Sequence, residues 1–251
     1  MPYIKKTTKT KKSIYVEKVY APRYGKHTIP GPKQKKTKES VKRVNDRNRI
    51  KKLARLIENN FDPGDWHVTF TFRKEERTSD PDVMNDIKKQ LTQKLKRFYR
   101  KAGQEFRWVF VMEHLKTTIH FHMILQDIPG LGKAVRAIWE KGSVYLTPLY
   151  DDGTGYQKLA EYLCKEKSSG EKGRSKQAYS CSRNLERPET KVEVIKSLKW
   201  SQEPKPIKGY YVDKNTVYQG IDDWGYLQQF YTLRKIEDEK KNDSRHRKRK
   251  P

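Results

Sequence analysis

Glu113, His120 and His122 carry side chains that can share one metal ion, and their spacing says how. They fall in the stretch Trp108–Leu125, which reads as two apolar strands joined by a short polar turn. Successive strand side chains point to opposite faces. His120 and His122 therefore share one face, and Phe121 turns the other way into a core. A turn centred between Met112 and Phe121 makes Glu113 and His120 cross-strand neighbours, with Cβ atoms about 5 Å apart. One carboxylate and two imidazoles suit Mn²⁺ or Mg²⁺, and would also accept Zn²⁺ or Co²⁺. Such a set leaves positions open for water or a phosphate oxygen, as a catalytic ion requires. Two histidines on a sheet face also occur as plain polar surface, and the carboxylate in register is what favours the metal. His114 faces away from Glu113 and reads as surface. His67 lies on an earlier strand, and nothing in the sequence fixes its register.

A second group of reactive side chains lies in Glu161–Lys165. Tyr162 and Lys165 are three apart, so on a helix they share a face. A tyrosine hydroxyl has a pKa near ~10 and needs help to act as a nucleophile. A neighbouring ammonium and a metal-polarised phosphate would supply it. A tyrosine on an amphipathic helix is otherwise a core or rim residue.

These residues need elements to position them. Ile50, Leu53, Leu56 and Ile57 recur at helical spacing within 41–60, before the turn Asp62-Pro63-Gly64-Asp65. Trp66–Phe72 is a β-branched and aromatic strand. Asp80-Pro81 starts a helix whose stripe is Val83, Ile87, Leu91, Leu95 and Phe98, ending near Gly103. After the hairpin come a helix over 131–140, a strand over 143–146, the Tyr162 helix over 157–165, and a further strand over 179–184. Residues 168–176 read as a polar, mobile loop. The fold class is α+β, a central antiparallel β-sheet with helices packed on it. Residues 1–40 read as a flexible basic arm. Tyr15, Tyr20 and Tyr24 within it either stack on bases or pack a short strand. The domain occupies 41–190, a β-rich extension of it 191–235, and a basic tail 236–251. Gly209–Gly220 reads as a hairpin around Asp213-Lys214-Asn215.

Composition names the partner. Lys and Arg number 57 against 31 Asp and Glu, a net charge of +26. A polyanion is the natural counterpart of such a charge. No apolar run spans a bilayer, and Met1–Lys6 lacks a secretory pattern, which favours nucleic acid over a membrane. Two cysteines in no metal-ligand spacing, Cys164 and Cys181, fit a reduced, cytoplasmic protein. Gly130-Leu131-Gly132-Lys133 is not a phosphate loop, because the earlier glycine that pattern needs is Asp127 here.

Taken together, these motifs resemble the HUH endonucleases, named for a His-hydrophobic-His metal motif. More closely, they resemble the rolling-circle replication initiators of Gram-positive plasmids, integrative elements and filamentous-type phages. The matching features run in the family's order: Asn59-Asn60-Phe61 closing a basic helix, the strand Val68–Phe72, Glu113 before His120-Phe121-His122, Tyr162-Leu163-Cys164-Lys165, and Tyr179–Leu185 ahead of Pro188. The resemblance covers roughly residues 45–190. It implies a divalent ion, Mn²⁺ or Mg²⁺, on Glu113, His120 and His122, and Tyr162 as the nucleophile with Lys165 steadying it. It further implies single-stranded or hairpin origin DNA as substrate, a 5′-phosphotyrosine, and a free 3′-OH. A host polymerase would extend that end and a host helicase would unwind the duplex. Many relatives carry two tyrosines one helical turn apart. Lys158 stands four before Tyr162 here, and Tyr156 six before, so a one-tyrosine enzyme is expected. Thr117-Thr118 stand in the hairpin turn where relatives often have Arg-Gly. A conjugative relaxase or single-strand transposase would use the same chemistry. A non-catalytic basic nucleic-acid-binding protein would use only the charge.

Overall fold

Ile119–Leu125 alternates between two faces, and each face has its own apolar company. In the computed structural model, the residues described are 3–22, 24–25, 39–78, 80–114, 119–151, 153, 155–168, 179–196, 201, 203–222 and 225–236, without the side chains of 40, 114 and 166–168. In chain order the elements are β1 (Tyr3–Lys9), β2 (Ser13–Tyr20), α1 (Glu39–Asn60), β3 (Trp66–Thr71), α2 (Pro81–Lys101), β4 (Trp108–His114) and β5 (Ile119–Leu125). Then come α3 (Leu131–Ile138), β6 (Val144–Pro148), α4 (Gln157–Ser168), β7 (Ser180–Cys181), β8 (Thr190–Ile195), β9 (Tyr210–Ile221) and β10 (Leu227–Lys235). They form two units, residues 33–187 and residues 1–32 with 188–251. The two antiparallel sheets and four α-helices make the fold α+β.

Unit 33–187 is a sheet of order β6-β3-β5-β4-β7 between two helical layers. One sheet face carries Val68, Phe70, Phe110, Phe121, Met123 and Leu125, and meets Met84, Ile87, Leu91 and Leu95 of α2 and Leu131 and Val135 of α3. The rings of Phe72, Phe110 and Trp139 surround Phe121, with centroids 5.1, 4.9 and 5.8 Å away. The opposite face carries Val109, Val111 and Ile124, and meets Leu53, Leu56 and Ile57 of α1 and Ala160, Leu163 and Cys164 of α4. The apolar part of that face ends at Val111. Beyond it the same face carries polar groups.

Helix ends follow local chemistry. Asp80 caps α2, its carboxylate accepting from the Asp82 N–H at 2.9 Å, and Pro81 occupies the first turn. The buried stripe of α2 begins at Met84, while Val83 is exposed. Steps of 84, 87, 91 and 95 track the 3.6-residue turn, whereas a strict four-residue stripe from Val83 drifts off the face. Asn60 ties the end of α1 to residue 186 with paired bonds: its Nδ2 donates to the Glu186 carbonyl and its Oδ1 accepts from the Glu186 N–H, both at 2.8 Å. The Asn59 amide donates to the same carbonyl at 3.1 Å. In this fold the asparagine pair has a structural task.

The other unit is a five-stranded antiparallel sheet of order β8-β1-β2-β10-β9. Here the structure departs from the expected flexible arm: 3–9 and 13–20 are strands. Thr, Ile, Val and Tyr favour a pleated surface. The interspersed lysines hide that signal in a sequence scan. Ile14 and Val16 form a small core with Leu233, against Tyr210, Val212 and Tyr231. Residues 191–235 join this sheet through β8, β9 and β10 rather than extending the sheet of 33–187. The expected 209–220 hairpin is one strand, β9, paired with β10 on both sides of an irregularity. Thr232 pairs with Asp213 and Phe230 with Tyr218, so 214–217 bulge opposite Tyr231. The turn chemistry survives inside that bulge, where the Asn215 N–H donates to the Asp213 carboxylate at 3.2 Å. The basic tail from 237 and the loop 169–176 lie outside the described residues.

Phe121 has no exposed surface and sits between the two histidines in sequence. Phe121→Ala is expected to destabilise the protein by about 3–5 kcal/mol, read from urea titration followed by tryptophan fluorescence. A loss below about 1 kcal/mol would contradict the packing described.

Candidate metal centre

The polar end of the sheet is built by register. Glu113 pairs with His120, Val111 with His122, and Thr69 of β3 with His122 from the other side. This is the Glu113–His120 pairing that the hairpin spacing predicts. The potential ligand atoms of Glu113, His120 and His122 all lie within 4.8 Å of one another. His122 Nε2 is 2.9 Å from Glu113 Oε2, and His120 Nδ1 is 3.8 Å from the same oxygen. One oxygen facing two nitrogens at these distances, with no covalent constraint between them, is a donor set that fits a divalent cation.

The three side chains differ in surroundings. His122 is buried, while Glu113 and His120 are partly exposed. Burial lowers the pKa of His122, and the hydrogen bond and charge of Glu113 oppose that fall. In the metal-free protein the 2.9 Å contact is therefore a hydrogen bond in which Nε2–H of a neutral His122 donates to the Glu113 carboxylate. A neutral imidazole is the form that ligates metal.

Two residues that the sequence left unassigned complete the cluster. His67 Nε2 and Thr69 Oγ1 each lie 3.2 Å from His122 Nδ1. His67 pairs with Ile124, two positions along β3 from the Thr69–His122 pair, so both side chains of β3 lie on the face of the histidines. The sequence signal was present in the His67-x-Thr69 alternation, but its use requires knowing that β3 pairs with β5. Burial pushes the His67 imidazole down to about 4, and the adjacent His122 adds to the fall.

Tyr162 stands at the edge of this cluster. Ala160, Leu163 and Cys164 seat α4 on the sheet and leave Tyr162 49% exposed on the flank. Its ring centroid is 5.6 Å from that of His122 and 6.2 Å from that of His67, both edge to face. Partial burial raises the Tyr162 hydroxyl above its ordinary pKa, and the Glu113 charge raises it further. Lys165 is exposed one turn along and makes no hydrogen bond or ion pair among the described residues. Tyr156 is buried in the core beneath α4, with a left-handed φ of 61°. The side chain of His114 and the turn 115–118 lie outside the described residues.

An α+β unit with a carboxylate–imidazole cluster at the open end of one sheet face is the class that fold and site define. Residues 65–167, from β3 through the hairpin to α4, match the family of replication-associated protein ORF2/G2P. The match supports a rolling-circle replication initiator, and the HUH superfamily is consistent with that family. Neither a curated protein nor a solved structure gives a significant match.

The buried histidines give the metal-free protein a signed pH response. An unfolded histidine titrates near ~6.5. Between that value and about 4 the unfolded chain binds a proton that folded His67 does not, so stability rises with pH across the window. On going from pH 7 to pH 4, His67 should account for a loss of up to about 3 kcal/mol. Urea titrations of wild type and His67→Gln at both pH values should differ by that contribution; identical pH dependence would contradict it.

Proposed function

We propose that this protein initiates replication of a plasmid or other mobile element by nicking single-stranded origin DNA through Tyr162. The observation that supports this reading best is the nearness of a half-exposed tyrosine to an open carboxylate–imidazole cluster: the Tyr162 ring is 5.6 Å from that of His122. The match of residues 65–167 to a replication-associated family supports it from a separate direction. So does the net charge of +26, which favours a polyanionic substrate.

Glu113, His120 and His122 hold Mn²⁺ or Mg²⁺ in this reading. When bound, that ion polarises a phosphoryl oxygen and offsets the Glu113 charge that opposes ionisation of Tyr162. The Tyr162 oxygen attacks phosphorus and loses its proton to solvent. The bond from phosphorus to the 3′ oxygen breaks, and that oxygen takes up a proton. The products are a 5′-phosphotyrosine and a free 3′-OH. Lys165 projects its ammonium from the same helix and steadies the phenolate or the charge on the phosphoryl group. One phosphodiester is exchanged for another, so a 3′-OH can reverse the step without ATP. Tyr156 takes no part, because it is held in the core. The nicking domain is the unit of residues 33–187. Among the described residues no helix is long and apolar enough to cross a membrane.

A nicking assay on single-stranded DNA with Mn²⁺ tests this. Tyr162→Phe is expected to abolish the covalent DNA adduct, and His120→Ala with His122→Ala to abolish cleavage together with metal affinity. Lys165→Ala should slow nicking by about 10- to 100-fold while leaving metal affinity intact. An adduct that survives Tyr162→Phe would rule out this nucleophile. Cleavage and metal binding that survive loss of both histidines would rule out the metal centre.

A further inference from the structure

We infer that His67 is a positioning residue of the metal centre: when the ion is bound, His67 Nε2 accepts a hydrogen bond from His122 Nδ1–H and so favours the tautomer whose Nε2, the nitrogen that faces Glu113, is bare toward the ion. This inference rests on the reading of Glu113, His120 and His122 as a divalent-cation site. An imidazole ligates through an unprotonated nitrogen, and its second nitrogen then carries the proton. The two nitrogens of His122 have different neighbours. Nε2 faces Glu113 at 2.9 Å, on the cluster side. Nδ1 faces inward, 3.2 Å from His67 and 3.2 Å from Thr69. His122 is only 2% exposed, so a proton on Nδ1 depends on an internal acceptor.

The two inner neighbours are not equivalent. The Thr69 hydroxyl rotates and can donate or accept, so it tolerates either tautomer of His122. With an ion on His122 Nε2, the His122 proton lies on Nδ1, and the 3.2 Å contact is then a hydrogen bond only with His67 Nε2 as the acceptor. His67 is only 9% exposed, so its ring is held by protein on nearly every side. Its aim is set by the sheet rather than by a loop, since β3 is held between β6 and β5. The rings of His67 and His122 lie 28° from parallel with centroids 5.3 Å apart. The same His67 ring packs the edge of Tyr162, so one side chain positions both a ligand and the tyrosine.

Two substitutions separate the acceptor from the ring. His67→Phe keeps the ring and removes the acceptor, whereas His67→Gln keeps an acceptor at the Nε2 position and removes the ring. Mn²⁺ binding to the full chain is measured by calorimetry without DNA, with unfolding midpoints taken alongside. His67→Phe is expected to weaken Mn²⁺ binding by about 10- to 100-fold, and His67→Gln to restore most of it. Unchanged affinity in His67→Phe overturns the inference. Equal loss in both variants overturns it too, because His67 would then act as a ligand or by shape. His122→Ala runs as the control: if it binds Mn²⁺ like the wild type, the cation site itself is wrong, whatever His67 does. Wild-type protein loaded with Mg²⁺ gives a test that needs no variant. A long-range ¹H–¹⁵N spectrum showing Nδ1–H on both His122 and His67 supports the inference, and Nε2–H on His67 overturns it.

Discussion

Everything at the candidate centre depends on the register of β5 between β3 and β4. With this register Phe121 enters the aromatic core, and His120 and His122 emerge beside Glu113. A slip of one residue would exchange the faces, pushing two imidazoles into the packing of α2 and α3 and a phenyl ring into the cluster. The apolar anchor and the polar site are thus opposite consequences of one two-residue period. Burial of Phe121 thus fixes which face Glu113, His120 and His122 share.

The second dependence is on burial acting against charge. His67 and His122 lie where a proton is costly, so both stay neutral at pH 7. Glu113 lies nearer solvent than His122, with its carboxylate turned to both histidines. The Glu113 charge works against ionisation of Tyr162. A cation bound at Glu113 would remove this conflict. The tyrosine is offered by α4 because its neighbours Ala160, Leu163 and Cys164 are occupied in packing.

Local periodicity was the part of this molecule legible in the sequence. The hairpin pairing Glu113–His120, the capped start of α2 at Asp80-Pro81 and the Tyr162 helix all follow from spacings within a few residues. The harder features depend on partners far away in the chain. β1 pairs with β8, so Ile4 meets Val194, and no pattern within 1–40 announces that partner. Lysines alternating with threonine and isoleucine resemble a solvated arm until a second strand covers the apolar side. Asp213-Lys214-Asn215 carries turn chemistry, but β10 is long enough to pair on both sides of it and makes it a bulge. His67 remained unassigned for the same reason: its place at the cluster depends on which strand lies next to β3.

The central claim is that the cluster and Tyr162 act on the same phosphate. Peptide mapping by mass spectrometry, after the protein is incubated with a single-stranded origin library in Mn²⁺, tests it most directly. The account predicts one DNA-bearing peptide, modified at Tyr162, that is absent when the metal is chelated. A modification on another residue, or one on Tyr162 undiminished by chelation, would contradict it.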